Sequence, residues 1–354
     1  MRQRLRELGY PIGELPTGKK NCLTDVKGVK VGHFTLQKEF ADNEAATTGV
    51  TAILPHEGNL FYERVPAASF VLNGFGKTTG LVQVEELGHL ESPIMLTNTF
   101  SIPAVSEGTL RYLMQENEEI GEKAGTVNIV VGECNDSYLN DIRGLHIRPE
   151  HAIAAITAAS DEKAGEGAVG AGTGMSCFGW KGGIGTSSRV IAITNSSYTV
   201  GVLVLSNFGR PEELTVLGKN IGKDIFKENA DKYDDGSIMI VIATDAPLNS
   251  RQLKRLAKRA TLGLGRTGAI AHHGSGDIII AFSNSVKMPL NPQLEIAAFP
   301  CISEDNWLIS LLFQGVIEAV EEAVMNSLFM AETTKGRKGR IRTAIPIEKV
   351  LGLL

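Results

Sequence analysis

DGSIMIVIATDAPL, residues 235–248, contains a strongly β-branched strand, SIMIVIAT, directly after a glycine. A run rich in Val, Ile and Thr that is bounded by Gly and Asp favours a strand. The segment before it, PEELTVLGKNIGKDIFKENADKYDD (residues 211–235), is charged, punctuated by glycine and ends in an acidic turn. This composition predicts an exposed loop or linker, a natural place for a nick in the chain. An ordinary surface loop before a strand is the alternative.

Short strands and helices alternate through the rest of the chain. The last helix opens with Glu304, Asp305 and Asn306 and then carries apolar residues at helical spacing. Mixed helix and strand in one long chain predicts layers of helix and sheet, and no repeat array is visible. The predicted strands are residues 49–54, 68–72, 126–131, 188–194, 199–205, 237–244 and 276–283, and the predicted helices are residues 104–116, 149–160, 249–264 and 306–330.

The composition excludes several classes of protein. Apolar residues make up 43% of the 354 residues, so the chain can bury a large core. A net charge of −5 argues against a protein that binds a nucleic-acid backbone. The apolar runs are too short to span a membrane, and the N-terminus lacks the apolar stretch of a signal peptide. Four cysteines without a CxxC pair suit a reducing compartment. We therefore expect a cytoplasmic protein with no metal, cofactor, nucleic-acid partner or membrane partner.

Several stretches imitate known sites but stand in the wrong context. GLGRTG (residues 263–268) follows a basic helix instead of a strand, so we interpret it as a helix end and a loop. In the Walker-like triplet at residues 76–78, Val71 occupies the place of the first glycine. No serine lies in G-x-S-x-G, and no H-E-x-x-H metal motif occurs. His272 and His273 would point in opposite directions on a strand and are poor joint ligands.

Three blocks of sequence follow one another in a specific order. The first is LPTGKKNCLTDVKGVKVGH (residues 15–33), and the second is GAGTGMSCFGWKGGIGTSSRV (residues 170–190). The third is the 235–248 stretch, followed by a basic helix and GSGDI (residues 274–278). Together they resemble the L-aminopeptidase/D-esterase family, which includes the β-peptidyl aminopeptidases. The resemblance extends over nearly the whole chain, from about Leu15 to Ile345.

The resemblance implies an α+β fold, a four-layer αββα sandwich similar to the N-terminal-nucleophile hydrolases but with different connectivity. Members are translated as inactive precursors that cut their own chain before a serine. The matching bond here is Gly236–Ser237, and cleavage would give fragments 1–236 and 237–354 of a single domain. Members typically assemble as tetramers of cleaved protomers, so we expect a homo-oligomer.

A serine at a new N-terminus carries its own base. The α-amine has a pKa of about 7.7–8.0, against about 10.4 for lysine, so it is partly neutral at cellular pH. It can take the Ser237 hydroxyl proton directly or through one water. Before that amine exists, the same hydroxyl can attack the Gly236 carbonyl and form an ester that water hydrolyses. Glycine suits this bond because the scissile unit has to be closely approached.

Other residues match the family by position. Asn207, in VLVLSNFG (residues 202–209), matches the asparagine that donates to the oxyanion, a role that suits a neutral amide dipole. Ser275 and Asp277 match a serine–acid pair that supports the nucleophile, and residues i and i+2 share one face of a strand. Some relatives carry Glu at the acidic position. The alternative interpretations are a strand-end turn at Asn207 and a turn that enters a strand at G-S-G-D.

The polar segment ECNDSYLND, residues 133–141, departs from the family pattern. Some relatives place a tyrosine here that helps to hold the oxyanion. In this chain Asn135 stands at the aligned position, and Tyr138 follows three residues later. Both are candidates for the second oxyanion donor, and ordinary turn chemistry is the alternative.

The resemblance therefore implies a self-processing serine aminopeptidase, which releases N-terminal residues from short peptides, amides or esters through an acyl-enzyme on Ser237. Two alternatives stay open. A self-cleaving acyltransferase like ornithine acetyltransferase is related in fold, although such enzymes use an N-terminal threonine. A non-catalytic ligand-binding protein would be built on the glycine-rich residues 76–79 and 182–186. The preference for α-, β- or D-residues depends on the shape of the pocket.

Overall fold

The strands form two large sheets and several small two-stranded ribbons. A computed structural model describes residues 2–194, 196–226, 236–291, 295–305 and 307–354. In chain order the strands are β1 (Lys30–Glu39), β2 (Ala45–Leu54), β3 (Glu63–Gly74), β4 (His89–Leu90), β5 (Ile94–Asn98), β6 (Val130–Cys134), β7 (Ser176–Cys177), β8 (Trp180–Lys181), β9 (Gly183–Ile193), β10 (Ser196–Asn207), β11 (Thr215–Val216), β12 (Lys219–Asn220), β13 (Ser237–Thr244), β14 (Gly276–Ser283), β15 (Met288–Pro289), β16 (Thr334–Lys335) and β17 (Ile341–Arg342). The α-helices are α1 (Leu81–Leu87), α2 (Ile102–Glu116), α3 (Pro149–Thr157), α4 (Gly222–Ile225), α5 (Ser250–Arg266), α6 (Leu308–Phe329) and α7 (Ile347–Leu351).

The larger sheet has the strand order β15-β3-β14-β13-β10-β9. Near its centre, β13 runs parallel to β14 and antiparallel to β10. The smaller sheet has the order β1-β2-β5-β6, in which β5 and β6 are parallel and the other pairs are antiparallel. Because β13 is paired along both edges, the position of its first residue is set by two neighbouring strands.

Three apolar clusters separate four layers. The first packs α5 and α6 on the outer face of the larger sheet and includes Leu253, Val320 and Ile240. The second lies between the two sheets and joins Leu96 of β5 to Val241 of β13. The third packs α2 and α3 on the outer face of the smaller sheet. The order helix, sheet, sheet, helix confirms the predicted αββα sandwich.

The apolar run of β13 follows from this layering. Successive side chains of a strand point to opposite faces. Ile238 and Ile242 belong to the cluster on the helix side, whereas Met239 and Ala243 belong to the cluster between the sheets. Both faces are covered, so the strand is apolar without alternation.

The predicted strands at residues 237–244 and 276–283 are confirmed at both ends by β13 and β14. The strand predicted at residues 126–131 is wrong at both ends, because β6 forms only where it pairs with β5. Helix α5 confirms the helix predicted at residues 249–264, but it begins one residue later because Asn249 caps it by accepting a hydrogen bond from the Gln252 N–H. For the helix predicted at residues 306–330, α6 confirms the core, and Asn306 lies outside the described residues.

Residues 211–235 are only partly the exposed loop that their composition predicts. Leu214, Val216 and Ile221 are buried in the helix-side cluster, so residues 211–226 pack against the larger sheet and its helices. The prediction is wrong there because these apolar residues recur between the charged ones and supply a buried face. The second part of the segment, residues 227–235, lies outside the described residues.

Helix α6 runs beneath the larger sheet and carries several glutamates. The buried Arg189 of β9 donates hydrogen bonds to Glu318 at 3.0 Å and to Glu322 at 2.6 Å, so these charges are paired inside the protein. Within the part of the chain that the structure describes, no helix is both long and apolar enough to cross a membrane.

Candidate active site

Ser237 is the first residue of β13, at the end of the larger sheet. The ladder pairs it with Asn207 of β10 on one side and with Gly276 of β14 on the other. The Gly276 N–H donates to Ser237 Oγ at 3.1 Å. Ser237 is 7% exposed, so its hydroxyl is largely shielded from bulk water. Two strands therefore hold this side chain in place.

Gly236 lies against the backbone of the neighbouring strand. A Cβ atom at this position would stand 1.8 Å from the Asn207 carbonyl oxygen, far closer than any real contact. Only glycine can bring the backbone this close. The Gly236–Ser237 peptide bond is therefore held tightly beside Asn207.

The side-chain amide of Asn207 is oriented at both ends. Its Oδ1 accepts a hydrogen bond from the Ser176 N–H at 2.9 Å, and its Nδ2 donates to the Asn135 carbonyl at 2.9 Å. These two partners distinguish the oxygen from the nitrogen of the amide. Since an amide nitrogen carries two hydrogens, one N–H is left for a further acceptor near Ser237.

Lys181 braces the loop that supplies Ser176. It is fully buried in β8, and its Nζ donates to the carbonyls of Gly172 at 2.8 Å, Met175 at 2.9 Å and Gly182 at 2.7 Å. An ammonium group has three N–H donors, so every one is used. Burial lowers the pKa of Lys181 to about 7, partly opposed by nearby acidic groups. Lys181 was not among the predicted site residues, although it is the one charged residue between Glu166 and Arg189.

Ser275 and Asp277 lie together on the other side of Ser237. The Ser275 hydroxyl donates to Asp277 Oδ1 at 2.7 Å. Asp277 is only 1% exposed, and its Oδ2 has no hydrogen-bond partner among the described residues. Burial raises the pKa of this carboxyl to about 6, while the Ser275 hydrogen bond and the charge of His272 oppose the rise.

The register between β13 and β14 fixes the position of Asp277 relative to Ser237. Asp277 pairs with Ile238, one residue beyond Ser237. Together with Ser275 it lines a small pocket that also includes Gly236 and His272. The carboxylate thus shares this pocket with Gly236, whereas the direct hydrogen bond to Ser237 Oγ comes from the Gly276 backbone.

The sequence profile of peptidase family S58 matches residues 21–342. The chain belongs to this family. A β-peptidyl aminopeptidase named BapA from Sphingosinicella microcystinivorans is 38% identical over 99% of this chain and 91% of its own length.

Two solved structures resemble this S58 peptidase over 99% of its chain and 98% of theirs. The PH0078 protein of Pyrococcus horikoshii OT3 is 50% identical, with a TM-score of 0.92. The L-aminopeptidase D-Ala-esterase/amidase of Ochrobactrum anthropi is 33% identical, with a TM-score of 0.93, and is described as a variant of the Ntn hydrolase fold. The S58 peptidase is thus a hydrolase, a serine aminopeptidase with an Ntn-like fold. These matches favour it over the acyltransferase and ligand-binding alternatives.

The side chains of Asn135 and Tyr138, the two candidates for the second oxyanion donor, each contact groups other than Ser237. The Asn135 side chain accepts from the Ser137 N–H at 3.0 Å, which is turn chemistry, and only its backbone carbonyl contacts Asn207. The Tyr138 ring packs under the Arg342 guanidinium, 3.5 Å from ring centroid to Cζ. Arg342 in turn donates to the Ser176 hydroxyl at 3.0 Å. Both residues therefore support the loop around Asn207, and a donor role for either stays a prediction.

Glu133, which was not among the predicted site residues, is a second buried carboxylate on the side of Ser237 that faces the loop after β3. Its Oε1 accepts from the Lys77 N–H at 2.8 Å, and its Oε2 accepts from the Thr99 hydroxyl. A Cβ built at Gly76 would contact both Glu133 Oε1, at 3.6 Å, and the Gly276 Cα, at 3.7 Å. The loop after β3 thus joins Glu133 to the strand end beside Ser237.

The structure shows how the two glycine-rich stretches that resemble nucleotide sites, residues 263–268 and residues 76–78, are arranged. α5 continues through Arg266, so most of residues 263–268 are helical and the loop begins later than predicted. The Lys77 backbone is bonded to Glu133. The described residues contain no group of three or more His, Cys, Asp or Glu side chains that could hold a metal ion.

Proposed function

We propose that the S58 peptidase cuts its own chain between Gly236 and Ser237, and that the freed Ser237 serves as both nucleophile and base. The observation that carries the proposal is the start of β13. There Gly236 lies against the Asn207 carbonyl without room for a side chain, and Ser237 Oγ is held by the Gly276 N–H. Fragments 1–236 and 237–354 would remain one unit, because β10 and β3 of the first fragment pair with β13 and β14 of the second.

Self-cleavage needs only the serine and water. Ser237 Oγ attacks the Gly236 carbonyl carbon, the C–N bond breaks, and the acyl group moves from nitrogen to oxygen. Water then hydrolyses this ester, which leaves a carboxylate on Gly236 and a free α-amine on Ser237. Holding the carbonyl and the hydroxyl in close contact supplies much of the rate, since misplacement of reacting groups commonly costs about 10²-fold.

The mature site then works on a substrate carbonyl. The neutral α-amine of Ser237 takes the hydroxyl proton while Oγ attacks the carbonyl carbon. The remaining N–H of Asn207 supports the negative oxygen of the tetrahedral intermediate. The ammonium returns its proton to the leaving amine or alcohol, and water hydrolyses the acyl-enzyme. Asp277 Oδ2, which is buried and unpaired among the described residues, accepts a hydrogen bond from the amine.

An aminopeptidase also has to bind the free ammonium group of its substrate. We assign this role to Glu133, because it is a buried carboxylate connected through Gly76 to the strand end beside Ser237. The substrates are short peptides, amides or esters with a free N-terminal amine. The named relatives extend this range to β-peptides and D-alanine esters as candidates.

We also propose a cytoplasmic homo-oligomer, a tetramer of cleaved protomers. Four unpaired cysteines, three of them buried, support a reducing compartment. The tetramer rests on the family resemblance, and sedimentation velocity would measure it.

The central experiment is mass analysis of the purified protein. We expect two fragments, the second beginning Ser-Ile-Met-Ile by N-terminal sequencing. Ser237→Ala should yield a folded, uncut and inactive chain, because the attacking oxygen is gone. A wild-type protein that stays at 38.0 kDa after long incubation yet hydrolyses substrate would contradict the proposal.

A panel of p-nitroanilides would define the substrate class. L-, D- and β-amino acid derivatives, each with its N-acetylated counterpart, should separate side-chain preference from recognition of the amine. Glu133→Gln should raise KM for the free amines and leave the N-acetylated compounds unaffected.

A further inference from the structure

His272 lies in the turn that leads into β14. Its Nε2 is 2.7 Å from Glu213 Oε1, and the two side chains are only 16% and 14% exposed. The adjacent His273 is exposed. The two neighbouring histidines therefore have different surroundings. His272 packs against the protein and contacts Glu213, whereas His273 is exposed to solvent.

The turn around His272 is held by several groups. The Ser275 N–H donates to the His272 carbonyl at 2.8 Å. Asn73 Nδ2 donates to the carbonyls of His272 and His273, each at 3.0 Å. Ala271, just before the pair, has φ +52°, a strained conformation for a residue with a side chain. Such strain persists only where the surroundings fix the backbone, so His272 has a defined position.

His272 faces the acid of the nucleophile site. It lines the same small pocket as Gly236, Ser275 and Asp277. The charged groups that meet it come from two other elements: Glu213 from the turn after β10 and Asp277 from β14. Glu213 is itself fixed, because its Oε2 accepts from the Arg210 N–H at 2.8 Å. A protonated His272 would be paired with Glu213 and would share its pocket with the Asp277 carboxylate.

We propose that His272, held by Glu213, is a positioning residue of the nucleophile site that keeps Asp277 ionised and aimed at the Ser237 amine. A nearby positive charge favours the carboxylate and offsets part of the effect of burial, which otherwise raises the pKa of Asp277. The inference rests on the proposed function, because Asp277 needs its charge only if the amine is formed. The Glu213–His272 contact would also hold the two fragments together. Glu213 belongs to residues 1–236 and His272 to residues 237–354, so the pair joins the two fragments beside the cut.

The test is the pH dependence of kcat in His272→Gln, with the exposed neighbour His273→Gln as the matched control. Losing a cation raises the pKa of both Asp277 and the Ser237 amine, so the acidic limb should move to higher pH. We expect a shift of about 0.5–1 pH unit, which lowers activity near pH 6 by about 3–10-fold. The loss should be smallest at the alkaline end of the profile, where the acidic limb no longer limits the rate. His273→Gln should match wild type throughout.

Glu213→Gln supplies a second variant in case the first does not fold. It should also move the limb to higher pH, and the double variant should shift no further than His272→Gln alone, because Glu213 acts through the imidazolium. Complete self-cleavage with an unmoved limb in both single variants would overturn this inference. An equal loss of activity at every pH would also overturn it, since that indicates a merely structural turn. Failure of the wild-type protein to cleave would instead refute the proposed function.

Discussion

The two sides of Ser237 differ in how completely their polar groups are paired. On the Asn207 side, both ends of the amide have partners, and Lys181 satisfies three carbonyls of the supporting loop. On the Asp277 side, one carboxylate oxygen has a partner, and the other, although buried, has none among the described residues. In the uncut chain the Asn207 amide is already held at both ends, with one N–H left for an acceptor, whereas Asp277 Oδ2 would gain a partner only from the amine that the proposed cleavage frees.

This difference indicates that the Asn207 side and the Asp277 side have separate roles. A donor that is fixed before the reaction needs no reorganisation when negative charge develops. A buried carboxylate without a partner opposes folding, because its charged form loses hydration. The new ammonium of Ser237 would supply the missing partner. The following changes test the two sides separately.

Asn207→Ala breaks the donor side and has the largest expected effect. Removing one oxyanion donor should lower kcat by about 10²–10³-fold. Asn207→Asp keeps the shape but replaces the NH₂ group with an oxygen, so it should lose at least as much activity. Steady-state kinetics on a p-nitroanilide would measure both. An unchanged kcat in either variant would show that Asn207 is not the oxyanion donor.

Gly236→Ala tests the close contact on the same side. The added Cβ would have to displace the Asn207 backbone, which should slow self-cleavage by about 10²-fold. Gly125→Ala is the matched control, because a Cβ there meets nothing within 4 Å. The fraction of uncut chain over time on a denaturing gel gives the rate. Equal rates in the two variants would show that the contact at Gly236 is unimportant.

Asp277→Asn breaks the acid side and should reduce kcat by up to about 10²-fold through misplacement of the amine. Without the anion the pKa of the amine falls, so the acidic limb of the pH–rate profile should move to lower pH. The movement is opposite to that expected for His272→Gln, which makes the two variants a matched pair. A wild-type kcat with an unmoved acidic limb would show that Asp277 has no role in the reaction and is only part of a turn.

The smallest effect concerns stability in the uncut Ser237→Ala background. Since the pKa of Asp277 is raised from 3.8 to about 6, its ionisation opposes folding above pH 6 and has little effect below pH 4. Adding Asp277→Asn should therefore stabilise the uncut protein by about 1–3 kcal/mol at pH 8 and much less at pH 4. Urea unfolding at both pH values would detect the difference. Equal stabilisation at the two pH values would contradict an unpaired acid.

The sequence predicted those parts of the fold that depend on local composition. β13 and β14 are recognisable because both of their faces are buried, so their central residues are apolar on both faces. β1 was not predicted, because this edge strand has an exposed, polar outer half. The buried face of residues 211–226 was missed because its apolar residues alternate with charges.

The candidate site divides in the same way. Ser275 and Asp277 are two residues apart, so strand alternation was enough to bring them together, and their hydrogen bond is present. Glu213 and His272 are 59 residues apart, and the Lys181 ammonium closes on backbone carbonyls that carry no sequence signal. Contacts between distant or purely backbone groups depend on how the layers stack, which a single sequence does not specify.

The pairing of β13 with both β10 and β14 also bears on the lifetime of the enzyme. If the chain is cut as proposed, the β10–β13 ladder joins two separate polypeptides, whereas the uncut chain folds as one. Unfolded precursor can refold by itself, whereas unfolded mature enzyme needs an encounter between two fragments, at a rate that falls on dilution. The persistence of a cleaved protein would then be governed by how slowly β13 leaves the sheet, which is a rate, and no longer by a reversible equilibrium.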